Sequence, residues 1–202
     1  MNKDNKTNGN NASTSTQTLL QPSQDKQRKT CAVGLPKTKK AFLNLYHVDK
    51  SVSLTNDADK CYFGEAPTLW NVNLFYGNGT SEEWLIYQLT DLSEFTGVSK
   101  KITAPQIAQM AQLIVGDYGY LKMTEVMLFL RRFKTGRYGL FYGNVDPIVI
   151  ISALGRFVIE ERNSTLAAHE LEEAKRQIDK ELKDKRNISY EEYLRTKPKH
   201  NK

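Results

Sequence analysis

Residues 103–116 read TAPQIAQMAQLIVG, and this stretch decides the fold class. Thr103 and Gln106 have the spacing of a capping box, in which the hydroxyl and the amide each satisfy a free backbone N–H. Pro105 falls in the first turn, where its missing N–H costs nothing. Ile107, Met110, Ala111, Ile114 and Val115 then recur at i, i+3, i+4, i+7 and i+8, a complete helical stripe. Gly116 is expected to stop it.

The same signature repeats on both sides. Thr80-Ser81-Glu82-Glu83 fits a second capping box, followed by Leu85, Leu89, Leu92 and Phe95 and ended by Gly97. Val126, Phe129, Leu130 and Phe133 form another stripe, ended by Gly136. Asp146-Pro147 is an N-cap with a first-turn proline. The helix behind it, Ile148 to Ile159, is apolar nearly all round and is expected to lie centrally, packed on more than one side. Ser152 and Gly155 would let a neighbour come close. Upstream, Ala41–Val48 and Asn56–Phe63 read as short helices, and Leu69–Tyr76 fits either a strand or a helical turn. The expected fold is all-α: a compact bundle over 40–162, a disordered tail over 1–39 and an extended charged helical arm over 163–202.

The two flanks differ from the bundle in composition. Residues 1–36 are rich in Asn, Ser, Thr, Gln and Lys and carry too little apolar surface to offset the entropy of ordering. The arm has a thin seam of Leu171, Ala174, Ile178 and Leu182 on an otherwise charged helix, either solvated or paired through that seam. Ser189-Tyr190-Glu191-Glu192 is a third capping box. It opens a short segment in which Tyr190, Tyr193 and Leu194 could anchor on a partner.

The 202 residues carry a net charge of +6. Residues 1–40 hold eight Lys/Arg against two Asp/Glu, which is the whole excess. The tail is read as a solubilising spacer or a weak polyanion contact, and the body is not a basic nucleic-acid binder by net charge. The opening MNKDNKTNGN lacks an apolar run, so no secretory leader is expected. Apolar runs such as Val126 to Leu130 and Ile148 to Ile151 are far too short for a membrane span. Cys31 and Cys61 form no CxxC, which points to a reducing compartment such as the cytoplasm.

Catalytic motifs are missing. His47, His169 and His200 stand apart from any metal-ligand spacing, and no HExxH, GxSxG or phosphate loop occurs. Asp91 and Glu94 share a helix face but read as solvent-facing acids. Gly136, Gly139 and Gly143 join a helix to a helix, whereas a phosphate loop follows a strand. The expectation is a non-enzyme without metal or cofactor.

The strongest local signal is RRFKTGRYGLFYG, residues 131–143. Leu128, Arg131, Arg132 and Thr135 are spaced i, i+3, i+4, i+7 opposite the apolar stripe, so both arginines are expected to project outward beside a spare leucine. With Lys134, Arg137, Tyr138 and Tyr142 they make a binding surface. Arg with Tyr binds single-stranded nucleic acid by phosphate pairing and base stacking, and the same pair is enriched at protein hot spots. A third reading stays open: Tyr138, Phe141 and Tyr142 plug a corner of the bundle, the glycines serve turns, and the arginines pair with acids such as Glu125.

Residues 78–162 resemble an uncharacterised family of small helical proteins of Bacteroidales phages and mobile elements. The pieces that carry the resemblance are Trp84, Phe95, Val98-Ser99-Lys100-Lys101, Gln106-Ile107, Asp117-Tyr118, Phe129 to Gly139, Tyr142, Asp146 and Arg162. The resemblance implies mobile-element biology and no activity. Taken with the Arg/Tyr surface, the expected function is a non-enzymatic accessory protein that binds nucleic acid or a replication nucleoprotein machine, helicase-loader-like by analogy. The alternative is a protein–protein adaptor or host-factor inhibitor without nucleic-acid contact. The partner is thus single-stranded nucleic acid, or a replication or host protein. No membrane contact is expected, and the chain is read as a monomer or weak oligomer.

Overall fold

Eight of the residues from Met123 to Leu130 are buried in unbroken succession, which makes their helix the most enclosed element of the protein. The structure, a computed structural model, describes residues 35–186 and 190–196. The tail read over 1–36 lies outside the described residues except for Leu35 and Pro36. The elements, in chain order, are α1 (Lys39–Leu45), a 3₁₀ turn (Val48–Lys50), α2 (Ser51–Leu54), α3 (Ala58–Phe63), α4 (Leu69–Tyr76) and α5 (Thr80–Phe95). There follow α6 (Ala104–Tyr118), α7 (Met123–Lys134), α8 (Pro147–Arg156), a π-helical turn (Phe157–Arg162), α9 (Asn163–Arg186) and α10 (Tyr190–Thr196). The fold is all-α, and α9 is the long C-terminal helix.

Helix α5 runs along α6, and α7 packs between α5 on one side and α2 and α3 on the other. Two bridges tie connections together: Leu69 N–H donates to Leu121 O at 3.0 Å, and Val145 N–H donates to Lys100 O at 3.0 Å. Trp84, Phe42, Phe129 and Phe157 are among the largest fully buried side chains. Trp84 Nε1 and Gln88 Nε2 both donate to Tyr46 O, at 2.7 and 3.1 Å, so the polar atoms in that part of the core are satisfied.

Several sequence expectations need correction. Gly116 does not stop α6, which runs two residues further to Tyr118. Gly119 is its C-cap instead, and only glycine fits there, since a Cβ would sit 1.8 Å from Trp70 Nε1. Thr80 is not an N-cap; Gly79 holds that place, and the Thr80 hydroxyl donates backward to Gly77 O at 2.7 Å. Leu69–Tyr76 is a helix, because the Thr68 hydroxyl caps it by accepting from Asn71 N–H.

The helix after Pro147 is peripheral rather than central. Ile150, Ala153, Leu154, Phe157 and Val158 are buried, but Ile148 and Ile159 are exposed. Its Asp146 cap forms as expected, accepting from Ile148 N–H at 2.8 Å. Gly155 lets the Tyr118 hydroxyl approach to 3.3 Å from where a Cβ would stand. From Pro147 to Arg186 the helix is unbroken, so the compositional change at Asn163 is not a break in its path.

Candidate functional site

The segment 131–143 leaves α7 at Lys134 and turns back over the end of the bundle. Gly136, Gly139 and Gly143 take φ of +82°, +108° and +81°, so turn geometry accounts for all three. Leu128, expected on the outer face, is only 4% exposed. The reason is that α2 and α3 cover the side of α7 opposite its apolar stripe. Arg131 and Arg132 on α7 therefore point into contacts rather than freely into solvent. Arg131 donates to Thr55 O at 2.7 Å. Arg132 donates to the Tyr62 hydroxyl at 2.9 Å and to Glu161 Oε2 at 2.6 Å. Arg137 reaches the same carboxylate, Nε to Oε1 at 3.1 Å. Lys134 pairs with Asp91, the acid read as solvent-facing, and its ammonium lies 5.2 Å from the centre of the Phe95 ring.

Tyr138 packs in the corner. Its ring lies 5.3 Å from that of Phe129 and 5.8 Å from that of Phe133. Its hydroxyl donates to Glu161 Oε1 at 2.7 Å. Burial, and then the carboxylate that accepts its proton, hold the phenol well above its ordinary pKa. Phe141 stacks on Phe133 at 5.3 Å. These two rings occupy the positions that the corner-plug reading assigns them.

The acid that gathers the corner is Glu161, not Glu125. Glu125 is fully buried and takes Arg162 Nε at 2.8 Å and Lys122 N–H at 2.7 Å. Burial raises its pKa, and the Lys122 N–H and the Arg162 guanidinium work against that rise. Glu161 carries a readable signal: Leu154, Phe157, Val158 and Glu161 continue one helical stripe at i, i+3, i+4 and i+7. An acid on a core stripe needs a cation, and the arginines of the corner supply it.

The corner also leaves large apolar side chains exposed. Phe95 is 61%, Leu140 70% and Tyr142 86% exposed. They surround a recess of about 240 Å³ with Leu92, Phe133 and Phe141 in its lining. A larger groove of about 510 Å³ lies between α1 and α5, lined by Leu43, Tyr46, Trp84 and Tyr87 with the Lys39–Glu83 ion pair at its edge. No sequence spacing pointed to that groove, because its two walls are some forty residues apart in the chain.

The charged arm is α9, which continues the helix that begins at Pro147. Its first turns pack: Leu166 meets the core, and the His169 ring stacks on Phe63 at 4.1 Å. From Glu170 to Asp184 every residue is exposed. Tyr193 and Leu194 are exposed on α10, while Ser189 and the Tyr190 side chain lie outside the described residues. Among the described residues no group of three His, Cys, Asp or Glu side chains could hold a metal, and no helix is long and apolar enough to cross a membrane.

An all-α body with a polar-satisfied corner and a long helical arm is the class these features define. A family of unknown function, DUF6633, matches residues 101–202, and the chain belongs to that family. No curated protein and no solved structure matches the chain.

Proposed function

We propose that this chain is a non-enzymatic adaptor of a phage or mobile element, acting in the cytoplasm of a bacterial host and binding a partner protein at Phe95, Leu140 and Tyr142. One observation carries the reading. The corner's cations are held by partners inside the molecule, while Phe95, Leu140 and Tyr142 stay largely exposed. Phosphate binding needs cations free to leave their own carboxylates, and Arg132 and Lys134 are each held by one. Exposed aromatic side chains beside a recess, here Phe95 and Tyr142, are instead typical of a protein contact. The recess falls below the roughly 300–1,000 Å³ of small-molecule pockets, and it suits one apolar anchor side chain of the partner.

A photo-crosslinking amino acid at position 142, in cells or lysate of the bacterial host, tests this. A discrete protein adduct that survives nuclease treatment and disappears in Leu140→Ser supports the reading. An adduct with nucleic acid, or one lost on nuclease treatment, replaces it with the replication-nucleoprotein role.

A further inference from the structure

We infer that the arm is a self-association surface, on which α9 of one copy lies parallel to α9 of a second copy along Leu171, Ala174, Ile178 and Leu182. The seam is exposed on a helix that has left the body: Leu171, Ile178 and Leu182 are all close to half exposed or more. The α9 helix has 24 residues, and at 1.5 Å per residue it is about 36 Å long. Leu171 and Leu182 are eleven residues apart, three turns at about 3.67 residues each. The stripe thus stays on one side of a nearly straight helix, where a second straight helix can cover it.

The charges beside the seam select the occupant and its direction. Projected at 100° per residue, one flank carries Glu170, Gln177 and Glu181. The other carries Lys175 next to the seam, with Asp179 and Glu172 further out. Glu172 is held by Arg176 of its own helix at 2.6 Å. In a parallel pair each flank meets the opposite flank of the partner helix, which places Glu170 beside Lys175 of the second copy, five residues on. Glu181 and Arg186 repeat that five-residue spacing in the sequence. In an antiparallel pair like flanks meet, and Glu170 faces Glu181 twice. A parallel copy of the same helix therefore matches both the apolar stripe and its charged border. This surface is separate from the Leu140–Tyr142 patch and does not depend on it. The family match extends over the whole of it.

The seam is short, so the association is weak, and it is read at high concentration. Sedimentation equilibrium of the full chain up to about 1 mM is expected to show a monomer–dimer equilibrium. Ile178→Asp is expected to leave monomer throughout. Lys175→Glu is expected to weaken the dimer roughly tenfold, because two attractive contacts become repulsive. Glu170→Lys combined with Lys175→Glu restores it to within about threefold. Direction is read separately with Leu182→Cys in a chain carrying Cys31→Ser, since a parallel pair brings the two 182 positions together and oxidises to a covalent dimer. Monomer at every concentration overturns the proposal, as does an unchanged dimer in Ile178→Asp. Failure of the charge exchange to restore association, or of position 182 to cross-link to itself, overturns the parallel arrangement.

Discussion

Replacing Glu161 with Gln is expected to destabilise the protein by about 2–3 kcal/mol, on the scale for removing one partner of a buried pair. The Glu161 side chain is 14% exposed and accepts from Arg132, Arg137 and Tyr138. Full burial gives about 3–5 kcal/mol for such a loss. The corner lies below that range because Arg137 is 56% exposed and adds only a surface pair, typically under about 1 kcal/mol. The amide keeps the side chain's shape but halves its acceptors and removes its charge. Arg132, 22% exposed, is left without a countercharge. For a folded unit of this size the loss corresponds to a fall in Tm of roughly 5–10 °C. Thermal unfolding followed by circular dichroism gives the number, with urea titration as a second measure. Glu160→Gln, an exposed neighbour, is the control and should stay within about 0.5 kcal/mol of the parent. If Glu161→Gln unfolds at the parent's temperature, the corner cations are not held by this carboxylate and the structural role assigned to them is wrong.

Three further outcomes follow from the same contacts. Gly119→Ala should push the Trp70 ring off its hydrogen bond to Val115 O, seen as a red shift in tryptophan emission with a stability loss of about 1–2 kcal/mol; an unchanged spectrum would show that the ring is not seated there. Burial pushes the Cys61 thiol up to about 11, so in a Cys31→Ser chain iodoacetamide should label it at pH 7.5 on the order of a hundredfold slower in the native than in the unfolded state, and equal rates would contradict its placement. Glu125 has its pKa raised by burial, so the folded state holds the proton more tightly than the unfolded one. Its contribution is present below the ordinary carboxylate pKa and is lost as pH rises through the folded value. The Tm of Glu125→Gln, scanned from pH 4 to 7, should therefore rise more, or fall less, with pH than that of the parent, and identical slopes would refute the sign.

Most helices were legible because each carries its own stripe and stop. Ile107 to Val115 and Leu85 to Leu92 read correctly since both are one-sided helices on a single core. The outer face of α7 was misread for the converse reason. Leu128 and Arg131 look spare when only one apolar stripe is counted. The Val48–Phe63 segment supplies a second wall, whose short helices have too few residues to show a period. The helix at Ile148 misled in the other direction, since an apolar surround implies burial only when neighbours are long enough to cover it. The partner of the arginines was misassigned between two glutamates. Glu125 is nearer in sequence, but it faces Arg162, and the stripe through Phe157 and Val158 brings Glu161 to Arg132 instead.

The central claim is that the corner binds through its apolar side chains while its cations hold the fold. The most direct measurement is a nuclease-treated pulldown from host lysate comparing two variants of the full chain, Leu140→Ser with Tyr142→Ser and Arg131→Ala with Arg137→Ala. The account predicts that the first stays folded and loses a specific protein partner, and that the second retains that partner with reduced thermal stability. Loss of the partner from the arginine variant alone, with the Leu140/Tyr142 variant binding as the parent does, would contradict it.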